Sequence, residues 1–219
     1  MTFIINIIQK FSKQLFSIYG IIFFTFIYLP LLTVIFLSFN SNPINMMVWD
    51  GFTFDWYKSI FGYSTKLDED AIYLESTDQL LSSLKNSLIV STTTTTISTI
   101  IGTMTALALA RFRFKFKSFY RALIFLPMLI PDIVLGIALL IFFVTIGIKL
   151  SLLSIIIGHC TFLSSYVFIV VSARLAGMNE TFEEASFDLG ANRLTTFRKI
   201  TLPIISPGII GGALLAFII

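Results

Sequence analysis

Read as a bare string of residues, this chain should fold as an all-α, polytopic membrane protein, and three observations point that way. Of its 219 residues 56% are hydrophobic and only 12% charged, with a mean hydropathy of +0.92, whereas soluble domains carry about 25% charged residues. The apolar residues gather into five runs on the scale of the roughly 20 residues that cross the hydrocarbon core as helix. The connections between the runs sort charge by sign, as membrane topology requires.

The first run, 18–39, follows Lys10 and Lys13. It exceeds the apolar core of a secretory leader, about 7–15 residues, and no small-residue cleavage site follows, so a retained span is expected, with residues 1–17 cytoplasmic. The second, third and fourth runs are 86–110, 122–148 and 151–173. A fifth begins near Ile204 and reaches Ile219, short of a comfortable crossing, so five spans are expected with the fifth cut short.

Orientation follows from the cations. Arg111, Arg113, Lys115, Lys117 and Arg121 stand between the second and third runs without an acid, which marks a cytoplasmic connection. Residues 40–85 hold seven acids, among them Asp50, Asp55 and Asp68, against Lys58, Lys66 and Lys85, which suits an outer loop. Alternation then places 174–203 in the cytoplasm and Lys149 in an outer turn. Positions 18–219 read as one transmembrane domain. The basic connection serves first as a topology determinant and is also suited to touching anionic lipid.

Within the second run, 92–96 is a block of five Thr. Their hydroxyls can bond to carbonyls a turn back, and Gly102, Ala106 and Ala110 at four-residue spacing favour a tight helix interface over a hydroxyl-lined path. Pro127 and Pro131 should kink or unwind the third run where it faces protein or a hydrated cavity. Asp132 follows at once, an acid inside a span, where a carboxylate costs on the order of 3 kcal/mol on insertion scales. It reads either as a cation-attracting group on a solute path or as a cap on the restarted helix. His159 and Cys160 point about 100° apart on a helix with no further ligands nearby, so packing rather than a metal site is expected. Trp49, Trp56 and Tyr57 suit either an interfacial belt or a docking surface for a binding protein.

The most informative segment is cytoplasmic by this reading. Glu183, Glu184, Ala185 and Asp188 form the acid-rich start of a short helix that Gly190 should end. A second helix from about Leu194 should carry Leu194, Phe197 and Ile200 on one face, with Pro203 as its limit.

The series Glu184, Ala185, Ser186, then Gly190 and Ala191, then Ile200, Leu202 and Pro203 resembles the EAA motif of ABC importer permeases, with Ser186 where the family usually has a second Ala. Tyr28-Leu-Pro-Leu, Ser38-Phe-Asn-Ser, Gly51-Phe-Thr-Phe-Asp-Trp-Tyr, Asn86-Ser-Leu, Ala110-Arg-Phe-Arg-Phe and Pro131-Asp-Ile-Val are similar to the second permease subunits of spermidine/putrescine importers. The resemblance implies a type I ABC importer permease fold in a bacterial inner membrane, with a sixth span that this sequence lacks. It also implies that the motif segment couples to an ABC ATPase dimer, that a homologous second permease and a periplasmic or lipid-anchored solute-binding protein complete the machine, and that Asp132 lies on the polyamine path.

No Gly-x-x-x-x-Gly-Lys-Ser/Thr loop occurs, so ATP and Mg belong to the partner ATPase; this chain is expected to be no enzyme, to bind no cofactor or metal, and to contact no nucleic acid. Three rivals stay open: a permease for another small solute such as thiamine, iron or an anion, an ion-driven secondary carrier, and a truncated non-functional fragment. Asp132 argues against an anion, and a secondary carrier has no need of an ATPase-docking segment.

Overall fold

The structure, a computed structural model, describes residues 2–65 and 76–219, with side chains from residue 12 in the first stretch and from 79 in the second. The acids Asp68, Glu69, Asp70 and Glu75 and the cation Lys66 of the expected outer loop lie outside the described residues. The chain divides into two compact units, 1–82 and 83–219.

In the first unit, α1 (Thr2–Leu37) contributes the span Ser12–Leu37 and has no buried residue in its most apolar stretch. A helix apolar all round, with its apolar side chains exposed, is built to meet lipid or other protein. Beyond it the chain folds around Asn40, which is 1% exposed. The Asn40 amide donates to the carbonyls of Met46 and Val48 at 3.0 and 2.6 Å, and its Oδ1 accepts from the backbone of Asn42 and Asp50. The short helix α2 (Asp55–Ile60) is tied back where Trp56 Nε1 donates to the Asn40 carbonyl at 2.8 Å and the Tyr57 and Ser38 hydroxyls meet at 2.6 Å. Trp49 stacks on Phe36 with centroids 4.5 Å apart. Two of the three aromatics that suited a docking surface thus spend their polar atoms inside the loop.

The second unit is built around α6 (Leu152–Ala176), whose Leu163, Val167 and Val171 are at most 1% exposed. α3 (Ser76–Arg111) crosses it at Gly102, where an added Cβ would lie 2.7 Å from Val167 Cβ and 2.8 Å from the Ser164 carbonyl oxygen. Only glycine permits that approach, and the buried Thr94, Ser98 and Ala106 continue the contact stripe. This is the tight interface expected of the Thr-rich run, although Ala110 stands exposed outside it. α9 (Leu202–Ile218) also packs on α6 at Val167, with Gly212 within 3.3 Å of Val167 Cα for a built Cβ, and buries Ile205 and Ala216.

The third expected span is two helices. α4 (Lys117–Leu129) and α5 (Asp132–Thr145) meet at 106°, a far sharper break than a kink. The cause is local: Ile130 precedes a proline and is pushed to the extended region (φ −87°, ψ 130°), which ends α4, and Pro131 starts the next helix. Among the described residues four helices are long and apolar enough to cross a membrane, or five with this pair taken as one span.

Candidate coupling segment and solute cleft

The motif segment folds as α7 (Thr181–Asp188), a turn, α8 (Arg193–Thr196), a five-residue π turn (Phe197–Thr201) and then α9. The turn after α7 follows from Gly190 at φ +83°, a left-handed conformation that L side chains resist. Gly190 N–H donates to the Phe187 carbonyl and Ala191 N–H to the Ser186 carbonyl at 2.8 and 3.1 Å, the paired bonds of a Schellman C-cap. Asn192 then caps α8, its side chain accepting from Thr195 N–H at 2.9 Å. Ser186 and Thr196 join hydroxyls at 3.0 Å, which holds the two short helices together.

Pro203 does not end the second helix as expected. The helical course continues from Arg193 to Ile218, because the π turn widens the backbone just ahead of the proline, whose ring would otherwise crowd the carbonyl four residues back. Phe197 and Ile200 are half-buried, whereas Leu194 stands 65% exposed, so the three do not share one environment.

The acids of α7 have separate fates. Glu183 turns inward: its Oε2 is 2.8 Å from Arg111 Nε in an ion-pair contact, and its Oε1 accepts from Arg111 Nη2 at 3.2 Å and from the Thr201 hydroxyl at 2.6 Å. Arg111 also donates to Glu180 at 2.9 Å. One guanidinium thus joins the end of α3 to the start of α7, and one carboxylate joins α7 to the π turn. Glu184, Ala185, Asp188 and Leu189 are exposed, as are Phe182 and Phe187, and together they make an acidic and apolar surface. Leu202 is half-buried and Pro203 exposed. Sequence reasoning missed Arg111, which it treated as one cation of a topology signal; nothing in local spacing ties it to a glutamate 72 residues on.

Asp132 sits in the first turn of α5, where the helix dipole favours a carboxylate. Its side chain is exposed and, among the described residues, makes no hydrogen bond or ion pair, so it is not spent as a cap. It lines a cleft of about 480 Å³ together with Gly136, Ser154, Gly158 and His159. His159 also borders a second cleft of about 510 Å³, walled by Asn86, Ser87, Ser91 and Thr94. The imidazole packs against Phe162 with centroids 5.6 Å apart, and among the described residues no cluster of His, Cys, Asp or Glu is arranged to hold a metal.

Residues 98–219 match the family described as binding-protein-dependent transport system inner membrane component. The spermidine/putrescine transport system permease protein PotC of Escherichia coli K12 is 36% identical over 194 residues, covering 89% of this chain and 68% of that protein. PotC of Haemophilus influenzae is 32% identical, covering 90% and 70%, and the putrescine permease PotI of E. coli K12 is 35% identical, covering 89% and 66%. With four to five candidate spans, a motif segment closed by Gly190, and matches of this extent, the chain belongs to the binding-protein-dependent transport family as an inner-membrane permease subunit of an ABC importer, working with a binding protein and a partner ATPase.

Proposed function

We propose that this permease subunit imports polyamines of the spermidine/putrescine class. The observation that carries the proposal is the Asp132 carboxylate, unpaired among the described residues and open to a cleft between helices of the transmembrane unit. An acid in a span that is neither paired nor used as a cap is costly unless it faces water or a cation. A polyamine brings two or more ammonium groups, and one carboxylate attracts such a group while leaving it free to depart. The relatives named for spermidine and putrescine support the same cargo.

In this reading 183–203 is the coupling segment. Glu184, Ala185, Asp188 and Leu189 present the surface that docks on the ATPase dimer; Glu183, Ser186, Gly190 and Ala191 shape it. Phe197, Ile200, Leu202 and Pro203 carry its motion into α9. The continuous helical course from Arg193 to Ile218 supports that role, because a rigid rod transmits a displacement at one end to the other. Residues 1–17 and 174–203 lie in the cytoplasm, 40–85 lie outside, and a homologous second permease completes the path. Closure of the ATPase dimer then opens the cleft outward to the loaded binding protein, and hydrolysis resets it.

The test is ATP-dependent uptake by the reconstituted transporter, comparing spermidine, putrescine and a neutral solute. Polyamine uptake that falls at least tenfold in Asp132→Asn, with subunit assembly intact, is the expected result. Equal uptake by the variant removes Asp132 from the path, and preference for another solute removes the polyamine assignment.

A further inference from the structure

At the end of the second unit that carries the coupling segment, a cleft of about 830 Å³ opens between α3, α4 and α6. Two of the walls change polarity in the same direction. On α4, Lys117, Arg121 and Phe125 line the cleft at four-residue spacing, so cation, cation and ring follow one another along one face. Phe125 lies about 12 Å farther along the helix than Lys117. On α3 the wall passes from Arg111 back to Leu109 and Ala106, whereas α6 sets Ser172 between apolar residues, Leu175 and Ala176 on one side and Ile169 and Phe168 on the other. Phe125 and Phe168 meet edge to face with centroids 5.6 Å apart and form the apolar floor.

The charges of this cleft are not balanced. Glu180, the one acid in its wall, is bonded to Arg111, which Glu183 also holds. Lys117 and Arg121 therefore stand as two cations with no acid opposite them among the described residues. A site with unpaired cations at its mouth and an apolar, ring-lined interior between spanning helices has the shape of an anionic amphiphile. Basic pockets of this kind between membrane helices take anionic lipid headgroups, and the volume falls within the range of about 300–1,000 Å³ usual for ligand sites.

We propose that this cleft binds one anionic phospholipid, its phosphate between Lys117 and Arg121 and the upper part of an acyl chain along Phe125, Ile169 and Phe168. Because Glu180 and Arg111 share the wall, the lipid seats beside the joint between α3 and the coupling segment. This lipid site does not depend on which solute the transporter carries.

The experiment uses the whole transporter, this chain with its permease partner and ATPase, in nanodiscs of phosphatidylethanolamine and phosphatidylcholine. A trace of phosphatidylglycerol with a photoreactive acyl chain is crosslinked to the wild-type complex, and the labelled peptides are mapped. The expected label falls on 117–129 and 165–176, and is competed by phosphatidylglycerol but not by phosphatidylcholine or inorganic phosphate. Lys117→Gln with Arg121→Gln should weaken that competition about 25-fold, at roughly fivefold per basic residue. Lys117→Arg with Arg121→Lys should preserve it. Label spread evenly over the apolar helix faces, equal competition by phosphatidylcholine, a second permease subunit filling the cleft, or competition by inorganic phosphate would each overturn the proposal. The mapping is made on the wild-type chain, so a variant that fails to assemble leaves the decision standing, and uptake enters neither arm.

Discussion

Replacing Glu183 by Gln keeps the shape of the side chain and removes its charge, at the one point where α3, α7 and the π turn are bonded together. The Glu183 side chain is 14% exposed and that of Arg111 21%, so the pair lies between two known regimes. Exposed pairs contribute about 0–1 kcal/mol, whereas removing one partner of a buried pair costs about 3–5 kcal/mol. Glu180 remains to receive Arg111, and Gln can still accept from the Thr201 hydroxyl, so the loss should be about 2 kcal/mol, set by one charge-assisted contact. Opening of the segment then becomes about 30-fold more frequent, at 1.36 kcal/mol per decade. Amide hydrogen exchange of the reconstituted transporter reads this directly: 181–201 should exchange about 30-fold faster in Glu183→Gln while the centre of α6 stays unchanged. Arg111→Gln should produce a similar rise, and the double variant should be no worse than the poorer single, since one interaction has been removed twice. Exchange in Glu183→Gln equal to wild type, or strict additivity of the two variants, would refute the claim that this pair holds the segment.

Four further outcomes follow from the geometry. Gly190→Ala forces a side chain into φ +83°, although a Cβ there meets nothing within 4 Å; the strain alone should cost about 1–2 kcal/mol, read as faster exchange across 186–192, and Gly190→Asn should cost less. Gly102→Val drives atoms into Val167 and the Ser164 backbone, an overpacking penalty of about 1–3 kcal/mol or more, and should lower the folded yield in detergent where Gly20→Ala, with nothing within 4 Å of its Cβ, does not. Asn192→Ala removes the cap of α8 and should cost about 1 kcal/mol, seen as faster exchange confined to Thr195 and its neighbours. Glu184→Lys, on the outward face of α7, should leave exchange within the chain unchanged while reducing transport-coupled ATP hydrolysis by the complex; unaltered coupling would detach that face from the ATPase.

Features that depend on neighbouring residues were legible in the amino-acid sequence itself. A run of apolar residues becomes a spanning helix because its own backbone bonds must be satisfied inside lipid, whatever its neighbours are. The turn at Gly190 and the break at Pro131 were equally local, since a left-handed φ asks for glycine and a proline restricts the residue before it. Even so, local reasoning left open a kink or an unwound turn and gave no measure of the 106° by which the helices turn, and it stopped at Pro203 a helix that continues to Ile218. In both places the missing quantity was how neighbouring backbone absorbs a proline, by reorientation in one case and by a π turn in the other.

What lay beyond reach of the residues alone was pairing at long range. The cations at 111–121 carry one sign of charge and read as one signal, yet folding spends Arg111 on Glu180 and Glu183 and leaves Lys117 and Arg121, unpaired among the described residues, at the mouth of a cleft. Glu183 and Glu184 are chemically identical neighbours, and about 100° of helical rotation turns one inward to a guanidinium and the other outward. Composition, periodicity and turn chemistry act within a few residues and so settled the class of protein, its spans and its motif. Which identical groups cancel and which remain free to bind depends on contacts across some 70 positions, and only the packing of α3, α4, α6 and α7 against one another assigns them.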